Sequence, residues 1–310
     1  MSRYVLVVTH TGREDALLAS QEVCSQLVAA GITPVMTAEE LADSLAFSKS
    51  HVAPNSAIEK VVKLGDDVAL KDVEVAMVLG GDGTILKAAE IVRAEATPLL
   101  GINLGHVGFL AESERDGLSD AVHRVVDRDY MVKQRLALDV RVFVGGEEVF
   151  HTWALNEAAI EKSAREKMLE VVVEIDKRPL SSFGCDGVVI STPTGSTAYS
   201  FSAGGPIVWP SVEAILLVPL SAHALFSRPL VITPNASVAI EVMQRSAGSG
   251  ILWCDGRRSF EMPPGARVEV RRSETPVQLA RFRVGPFGDR LVRKFALPVT
   301  GWRGPESDSQ

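Results

Sequence analysis

The sequence predicts an α/β N-terminal domain with a mostly parallel sheet, followed by a β-rich C-terminal domain. In the first half, compact apolar runs alternate with segments of helical periodicity, as in parallel strands connected by helices. From about residue 136 onward, short apolar runs are separated by Gly and Pro, which is typical of antiparallel strands. The length of 310 residues suits about two domains of roughly 150 residues each.

The first domain, residues 1–135, is expected to be Rossmann-like. Tyr4–Thr9 is a compact apolar run that predicts a buried strand, and residues 14–30 have helical spacing that ends before Gly31. Further strands are expected at Pro34–Thr37, Val73–Leu79 and Pro98–Asn103, and helices at Glu39–Ala46, Ile85–Arg93 and Asp116–Asp127.

The second domain is assigned to residues 136–285. It opens with a predicted hairpin, in which Leu136–Val144 and Val149–Trp153 flank Gly145 and Gly146. A closing segment, 286–302, is expected to pack back on the first domain, and 303–310 is expected to be a disordered tail. Further strands are expected at Met168–Ile175, Val188–Ile190, Ser237–Met243, Ile251–Trp253, Arg267–Arg271 and Val277–Arg283.

The amino-acid composition indicates which binding partners and which cellular compartment to expect. The 32 basic and 39 acidic residues give a net charge of −7, which argues against a nucleic-acid-binding surface. Three separate cysteines without a CxxC pattern favour a reducing, cytoplasmic setting. Ala214–Ser227 is too short and too interrupted for a membrane span, and no membrane partner is expected. Six histidines without ligand spacing predict no structural metal.

The sharpest local feature is Gly80–Thr84, GGDGT, between a predicted strand and a helix. Glycines let the backbone approach a phosphate, and the amides at a helix N-terminus favour an anion. Asp82 suits an acceptor of a proton from an attacking hydroxyl, or a metal contact. The alternative is a tight turn with Asp82 as the helix N-cap. Neither GxGxxG nor a Walker A sequence is present.

A second glycine-rich loop, Gly101–Leu110 (GINLGHVGFL), follows the next predicted strand. Parallel strands end at one edge of a sheet, so this loop is expected beside GGDGT. Phe109 could stack on a ligand ring or plug the core. His106 is a weak catalytic candidate.

Polar residues also cluster in the β-rich half. Asn156-Glu157 follows an apolar strand, where a strand-end turn is the simpler interpretation of the dipeptide alone. Asp186–Tyr199 contains TPTGSTAY, whose many hydroxyl groups need partners that a polar ligand would supply. Thr197 is expected to start a helix whose amides could meet phosphate. The alternative is a capping motif that bonds to itself.

For four other charged positions, the sequence fits either a ligand contact or an ordinary turn or surface residue. Asp255-Gly256 predicts a β-turn. Lys87, Lys167 and Arg257 are isolated basic residues that could neutralise phosphate, although such residues are mostly solvated at the surface.

Together, Gly80–Thr84, Gly101–Leu110, Asn156-Glu157 and Asp186–Tyr199 resemble the motifs of NAD kinases, in that family's order. The resemblance spans about residues 75–302 and includes Arg290–Trp302, which is similar to the family's closing segment. GGDGT alone also resembles loops of lipid kinases and phosphofructokinases, whereas TPTGSTAY combined with Asn-Glu is specific.

The resemblance implies a phosphoryl transfer from ATP, or from inorganic polyphosphate, to the adenosine 2′-hydroxyl of NAD, with Mg²⁺ on the donor phosphates. Asp82 would be the general base, with Gly83 lining its loop and Lys87 nearby. Asn156 and Glu157 would hold the adenosine of NAD. The remaining implied contacts with NAD are Asp186 at the nicotinamide end or at a neighbouring subunit's nucleotide, and Thr197, Ala198, Tyr199 and Ser202 around adenine and ribose.

Several implications are weaker or open. Lys167 and Arg257 correspond to variable basic positions of the family, and Asp255 is a further candidate contact. The family usually forms homodimers or homotetramers. Two other functions remain: a non-catalytic NAD(P) sensor, which the intact Asp82 disfavours, and a lipid or sugar kinase of the same broad fold.

Overall fold

A computed structural model describes residues 2–50, 56–105, 108–225, 227–282 and 287–299. The chain forms two compact units: the first comprises Met1–Gln134 and Gln278–Gln310, and the second comprises Arg135–Val277. The second unit is therefore an insertion within the sequence of the first. His106 and the expected tail at 303–310 lie outside the described residues.

The N-terminal part of the first unit alternates strands and helices. Its strands are β1 (Tyr4–Thr9), β2 (Thr33–Met36), β3 (Val62–Lys63), β4 (Val73–Leu79), β5 (Leu99–Asn103), β6 (Ser113–Glu114) and β7 (Met131–Arg135). Its helices are α1 (Glu14–Ala29), α2 (Ala38–Ser50), α3 (Asp82–Val92) and α4 (Leu118–Val126).

The second unit is built almost entirely of strands. They are β8 (Leu138–Val144), β9 (Glu147–Ala154), β10 (Glu157–Lys162), β11 (Leu169–Ile175), β12 (Arg178–Cys185), β13 (Gly187–Ser191), β14 (Ile215–Leu220), β15 (Leu230–Ile232), β16 (Val238–Val242), β17 (Gly250–Cys254), β18 (Arg258–Met262) and β19 (Arg267–Arg272). A one-turn helix, α5 (Tyr199–Ser202), follows β13. The chain returns to the first unit through β20 (Val277–Arg281) and α6 (Phe287–Phe295).

The sheet of the first unit has the order β3-β2-β1-β4-β5-β20-β7, with β6 also paired to β5. The pairs β1–β2, β1–β4, β4–β5 and β5–β20 are parallel. Strand β1 is apolar up to Thr9 and β4 is apolar except for Glu74, as expected where helices cover a sheet, and Leu6 and Met77 are fully buried. The carboxyl ends of β4 and β5 therefore meet at one edge, which is where the two glycine-rich loops begin.

The second unit is a sandwich of two six-stranded sheets, β15-β14-β13-β10-β17-β18 and β12-β11-β16-β19-β8-β9. Its core contains side chains from both sheets, among them Ile160, Val188 and Leu252 from one and Val171 and Ile240 from the other. The predicted fold class, an α/β domain plus a β-rich domain, is confirmed. No helix among the described residues is long and apolar enough to cross a membrane.

One predicted strand lies in a different sheet from the one expected. The sequence predicts a strand of the β-rich domain at residues 277–283, but β20 pairs in parallel with β5, with Leu279 opposite Leu99. The apolar run predicts a strand correctly, but a strand's own sequence does not specify a partner about 180 residues away.

Candidate active site

The GGDGT turn joins β4 to α3. Gly81 is the N-cap and Asp82 is the first residue of the helix, so the alternative of Asp82 as N-cap is wrong. Gly80 has a φ of 153°, and a Cβ atom there would lie 2.4 Å from Oγ1 of Thr84. This position requires glycine. Gly83 lies exposed in the first turn, with open space where a side chain would be.

The Asp82 carboxylate is held by the second glycine-rich loop. The backbone N–H groups of Phe109 and Leu110 donate hydrogen bonds to it, at 3.2 Å and 3.1 Å. A Cβ atom at Gly108 would lie 2.4 Å from Oδ1 of Asp82, so only glycine allows this approach. The two glycine-rich loops thus lie side by side around a single carboxylate, as predicted from the neighbouring carboxyl ends of the two parallel strands.

Phe109 packs within the protein. Its ring lies 6.1 Å from that of Phe287 and 5.8 Å from that of Phe295, both on α6. Phe109 is half-buried and these contacts place the closing helix directly on the loop, while the stacking of Phe109 on a ligand ring stays a prediction. Sequence reasoning pointed to the segment but not to the contact.

Lys87 is not the isolated cation that its sequence context predicts. Its ammonium lies 3.1 Å from Oε1 of Glu40, whose side chain is fully buried. Thr37 donates a hydrogen bond to the other oxygen of Glu40 at 3.0 Å, and the Thr37 hydroxyl accepts one from the backbone N–H of Glu40 at 3.3 Å. Lys87 therefore already balances a buried negative charge, and any role with phosphate would have to share it.

In the second unit, most hydroxyl groups of the TPTGSTAY loop donate hydrogen bonds within the protein, and their contact with a polar ligand stays a prediction. Thr192 donates to the carbonyl of Leu155 at 2.6 Å, and Ser196 donates to the carbonyl of Pro193 at 2.7 Å. Thr197 donates to the carbonyl of Thr194 at 3.3 Å. The bonds of Ser196 and Thr197 span three residues each and agree with a capping motif, whereas that of Thr192 connects the loop to the end of β9.

The helix expected to start at Thr197 begins at Tyr199. Gly195–Thr197 form a 3₁₀ turn, and the backbone of Ala198 (φ −104°, ψ −128°) separates it from α5. A segment rich in hydroxyl residues predicts the start of a helix nearby, but it does not predict which residue is the first of that helix. Ser202, the last residue of α5, is exposed.

A pocket of about 330 Å³ lies beside this loop in the second unit. Tyr199 and Glu157, both singled out from the sequence, line it, together with residues that sequence reasoning missed. These are Ala159, Glu161, Trp253 and Gly256. The hydroxyl of Tyr199 donates to Oε1 of Glu161 at 2.5 Å. Burial, followed by this bond, raises the pKa of Tyr199 to about 12.

Glu157, the first residue of β10, contributes a buried acid to this pocket. Burial, and after it the negative charge of Asp255, raises the pKa of Glu157 to about 8. Its Oε2 is buried with no hydrogen-bond partner among the residues that the structure describes. An unpartnered buried oxygen in a pocket wall is a group that a ligand can satisfy.

Asp255 has a structural contact that the sequence does not show. Its buried carboxylate accepts hydrogen bonds from the N–H groups of Leu155 (2.9 Å) and Asn156 (2.7 Å), and pairs with Arg258 at 2.7 Å. The predicted turn is present, with positive φ at Asp255 and Gly256. Asp255 therefore fixes the bend that carries the Asn156-Glu157 pair.

The remaining predicted residues of the second unit lie in various settings. Asp186 pairs with Lys162 at 2.6 Å, and that contact lowers the pKa of its carboxyl group. Lys167 and Arg257 are exposed. Asn156 is buried, and its backbone carbonyl accepts a hydrogen bond from the N–H of Thr192 at 2.9 Å.

Comparison with known proteins connects the two halves of the chain to one family. Residues 5–130 match the ATP-NAD kinase N-terminal domain, and residues 155–282 match the ATP-NAD kinase C-terminal domain. An NAD kinase of Leifsonia xyli is 62% identical over 304 residues, which cover 98% of either chain. An NAD kinase of Thermobifida fusca is 57% identical and covers 98% of this chain and 92% of its own.

Two solved structures share the fold. Yeast NADH kinase complexed with NADH has a TM-score of 0.82 and 21% identity, over 100% of this chain and 90% of its own. A kinase from Archaeoglobus fulgidus in complex with ATP has a TM-score of 0.67 and 20% identity, over 96% of this chain and 100% of its own.

Proposed function

Because the chain belongs to the NAD kinase family, we propose that it transfers the terminal phosphoryl group of ATP to the adenosine 2′-hydroxyl of NAD, which yields NADP. Inorganic polyphosphate is a second candidate donor. The observation that carries this proposal is the Asp82 carboxylate, held by two backbone amides where a parallel strand meets a helix.

In this reaction the 2′-oxygen of NAD attacks the γ-phosphorus of ATP in line with the bond to the leaving group. The new O–P bond forms, the bond between the γ-phosphorus and the β–γ bridging oxygen breaks, and ADP leaves. Asp82 accepts the proton of the hydroxyl. A positioned base of this kind contributes roughly 10²- to 10⁴-fold to the rate. Most of the remaining catalysis comes from positioning and charge neutralisation.

We propose that Mg²⁺ enters with the donor phosphates. Mg²⁺ commonly binds through phosphate oxygens, water and only one or two carboxylates. When bound to the donor, it would neutralise the phosphate charges.

For NAD itself, the second unit supplies the proposed contacts. Glu157 and Tyr199 line the pocket, and the buried Glu157 oxygen and the Glu161–Tyr199 pair offer hydrogen-bonding groups for hydroxyl or amine donors. The assignment of adenosine and ribose contacts to Asn156, Thr197, Ala198 and Ser202, and of Asp186 to the nicotinamide end, remains part of the proposal. So do a cytoplasmic location and a homodimer or homotetramer.

The proposal is tested by incubating the protein with NAD, Mg²⁺ and either ATP or polyphosphate, and measuring NADP by a coupled dehydrogenase assay. Formation of NADP with one of the donors supports it. An absence of NADP with both donors would contradict it and favour a sensor of NAD(P).

The role of Asp82 is tested by Asp82→Asn. We expect turnover to fall about 10²- to 10⁴-fold, because the amide cannot accept the proton. Binding of NAD, measured by calorimetry, should persist. Asp120→Asn is the matched control, since Asp120 is an exposed residue of the same unit, and it should leave turnover unchanged. Turnover of Asp82→Asn close to wild type would exclude Asp82 as the base.

A further inference from the structure

We propose that Arg290, on α6, is a positioning residue for Asp82: it fixes the peptide group that holds the Asp82 carboxylate. This inference rests on the proposed function of Asp82 as base. It assigns a task to the closing helix, for which the sequence predicts no site residue.

The first step of the argument is the contact between Asp82 and the loop. Oδ1 of Asp82 accepts a hydrogen bond from the N–H of Leu110 at 3.1 Å, and Oδ2 accepts one from the N–H of Phe109 at 3.2 Å. Because Gly108 has no side chain, the loop approaches the carboxylate closely on this side. The position of the loop therefore determines the position of the base.

The second step is the contact between Arg290 and the same loop. Nη1 of Arg290 donates to the carbonyl of Phe109 at 3.2 Å and to that of Ala111 at 2.9 Å. Its Nη2 bonds to Glu112 at 2.8 Å. The Arg290 side chain is only 16% exposed, so these bonds are largely shielded from water.

The third step joins the two contacts through one peptide group. The carbonyl of Phe109 and the N–H of Leu110 belong to the same planar peptide. Arg290 binds its oxygen, and Asp82 binds its N–H on the opposite side. Rotation of this peptide would break both bonds together, and a cation on the carbonyl strengthens the N–H as a donor. Arg290 thus both orients and polarises the group that holds Asp82.

Charge balance makes Arg290 suitable for substitution. Glu112 is paired with two guanidinium groups, because Arg281 also reaches it at 2.7 Å. Arg281 and Glu112 are 4% and 5% exposed, so the charges of this pair are buried and a change to either member would disturb the fold. Loss of Arg290 leaves the Arg281–Glu112 pair intact, and the fold should survive.

The test compares Arg290→Gln and Arg290→Lys with wild type. We expect kcat to fall about 10- to 100-fold in Arg290→Gln, the scale of a misplaced catalytic group, with KM for NAD within about twofold. Lysine keeps the charge but lacks the fork that reaches three acceptors, and its kcat should be intermediate. Arg293→Gln is the matched control on the same helix. Arg293 is 62% exposed and lies 3.6 Å from Glu114, and its loss should leave kcat unchanged.

Two further readouts distinguish positioning from a general structural effect. In an Asp82→Asn background, Arg290→Gln should change the residual rate by less than about twofold, since the base it positions is absent. An equal loss in both backgrounds, or an unchanged kcat in Arg290→Gln, would overturn the proposal.

Hydrogen exchange tests the role of Arg290 independently of the proposed kinase activity. Amide exchange in a peptide covering residues 108–112 should be faster in Arg290→Gln than in wild type, whatever reaction the protein catalyses. Unchanged exchange would overturn the link between Arg290 and the loop even if NADP is formed. Faster exchange in a protein that forms no NADP would leave the link standing and refute only the function.

Discussion

Two carboxylates that the sequence singles out, Asp82 in the first unit and Glu157 in the second, are held in different ways. Asp82 accepts hydrogen bonds from two backbone N–H groups, which fix the position of its carboxylate. Glu157 is buried, close to the charge of Asp255, and one of its oxygens has no hydrogen-bond partner among the described residues. The first environment suits a base with a fixed position. The second suits an acid that keeps its proton near neutral pH until a ligand reaches it.

The raised pKa of Glu157 makes stability depend on pH. The pKa is raised from 4.5 to about 8, so between these values the folded protein holds a proton that the unfolded chain has lost. The contribution of Glu157 to the free energy of unfolding is fully present below pH 4.5. It decreases as the pH rises and levels off above about pH 8.

Glu157→Gln isolates this contribution. We expect the free energy of unfolding of wild type, relative to the variant, to decrease between about pH 5 and pH 8 and then to stay constant. Urea denaturation of both proteins across this range measures it. A difference that does not change with pH would show that Glu157 titrates normally.

At the scale of elements, close backbone packing holds the TPTGSTAY loop of the second unit against the bend at Asn156. A Cβ atom at Gly195 would lie 2.0 Å from the carbonyl oxygen of Asn156, and a backbone atom cannot move aside as a flexible side chain can. The same carbonyl of Asn156 accepts a hydrogen bond from the N–H of Thr192. The TPTGSTAY loop and the Asn156-Glu157 bend are thus packed backbone to backbone.

Gly195→Ala should therefore destabilise the protein by about 1–3 kcal/mol, the usual cost of overpacking. Tyr199 of this loop lines the pocket proposed for NAD, so the substitution should also weaken NAD binding. Gly288→Ala is the control, because Gly288 lies in α6 with open space around it. That substitution should be neutral or slightly stabilising. Urea denaturation and calorimetry with NAD provide the measurements, and an unaffected Gly195→Ala protein would refute the packing argument.

At the scale of the whole molecule, the second unit is continuous in sequence and the first is not. The core of the sandwich consists of residues between Leu138 and Val270. The sheet of the first unit needs β20, which lies between β5 and β7. The two units therefore differ in how they tolerate truncation.

We expect a fragment of residues 135–277 to fold alone, with a β-type circular dichroism spectrum and cooperative thermal unfolding. A fragment of residues 1–134 should not, since it lacks β20 and the Arg281 partner of Glu112. Cooperative unfolding of the 1–134 fragment would show that β20 is dispensable.

The sequence predicts the features that local chemistry determines. Val73–Leu79 reads as a buried strand because a covered parallel strand is apolar on both faces, and Asp82 stands out because glycines surround it. It does not predict contacts between distant segments. Such contacts depend on packing that no local pattern specifies. Examples are those of Arg290 with Phe109, Asp255 with Asn156 and Lys87 with Glu40.

Strands with mixed composition were also missed. Arg178–Cys185 (RPLSSFGC) forms β12, although it lacks the alternation of apolar and polar residues that indicates a half-buried strand. Its pairing with β11 creates the strand, and this partner is itself apolar and easily predicted.

The insertion of the second unit also sets an order of events during synthesis. Residues 278 onward leave the ribosome after the whole sandwich, yet they carry β20, Arg281 and Arg290. A nascent chain can build the sandwich while its N-terminal segment still lacks a strand between β5 and β7. The surroundings of Asp82 are completed last. A chain released before residue 290 has therefore already made both glycine-rich loops but lacks the arginine that fixes one of them.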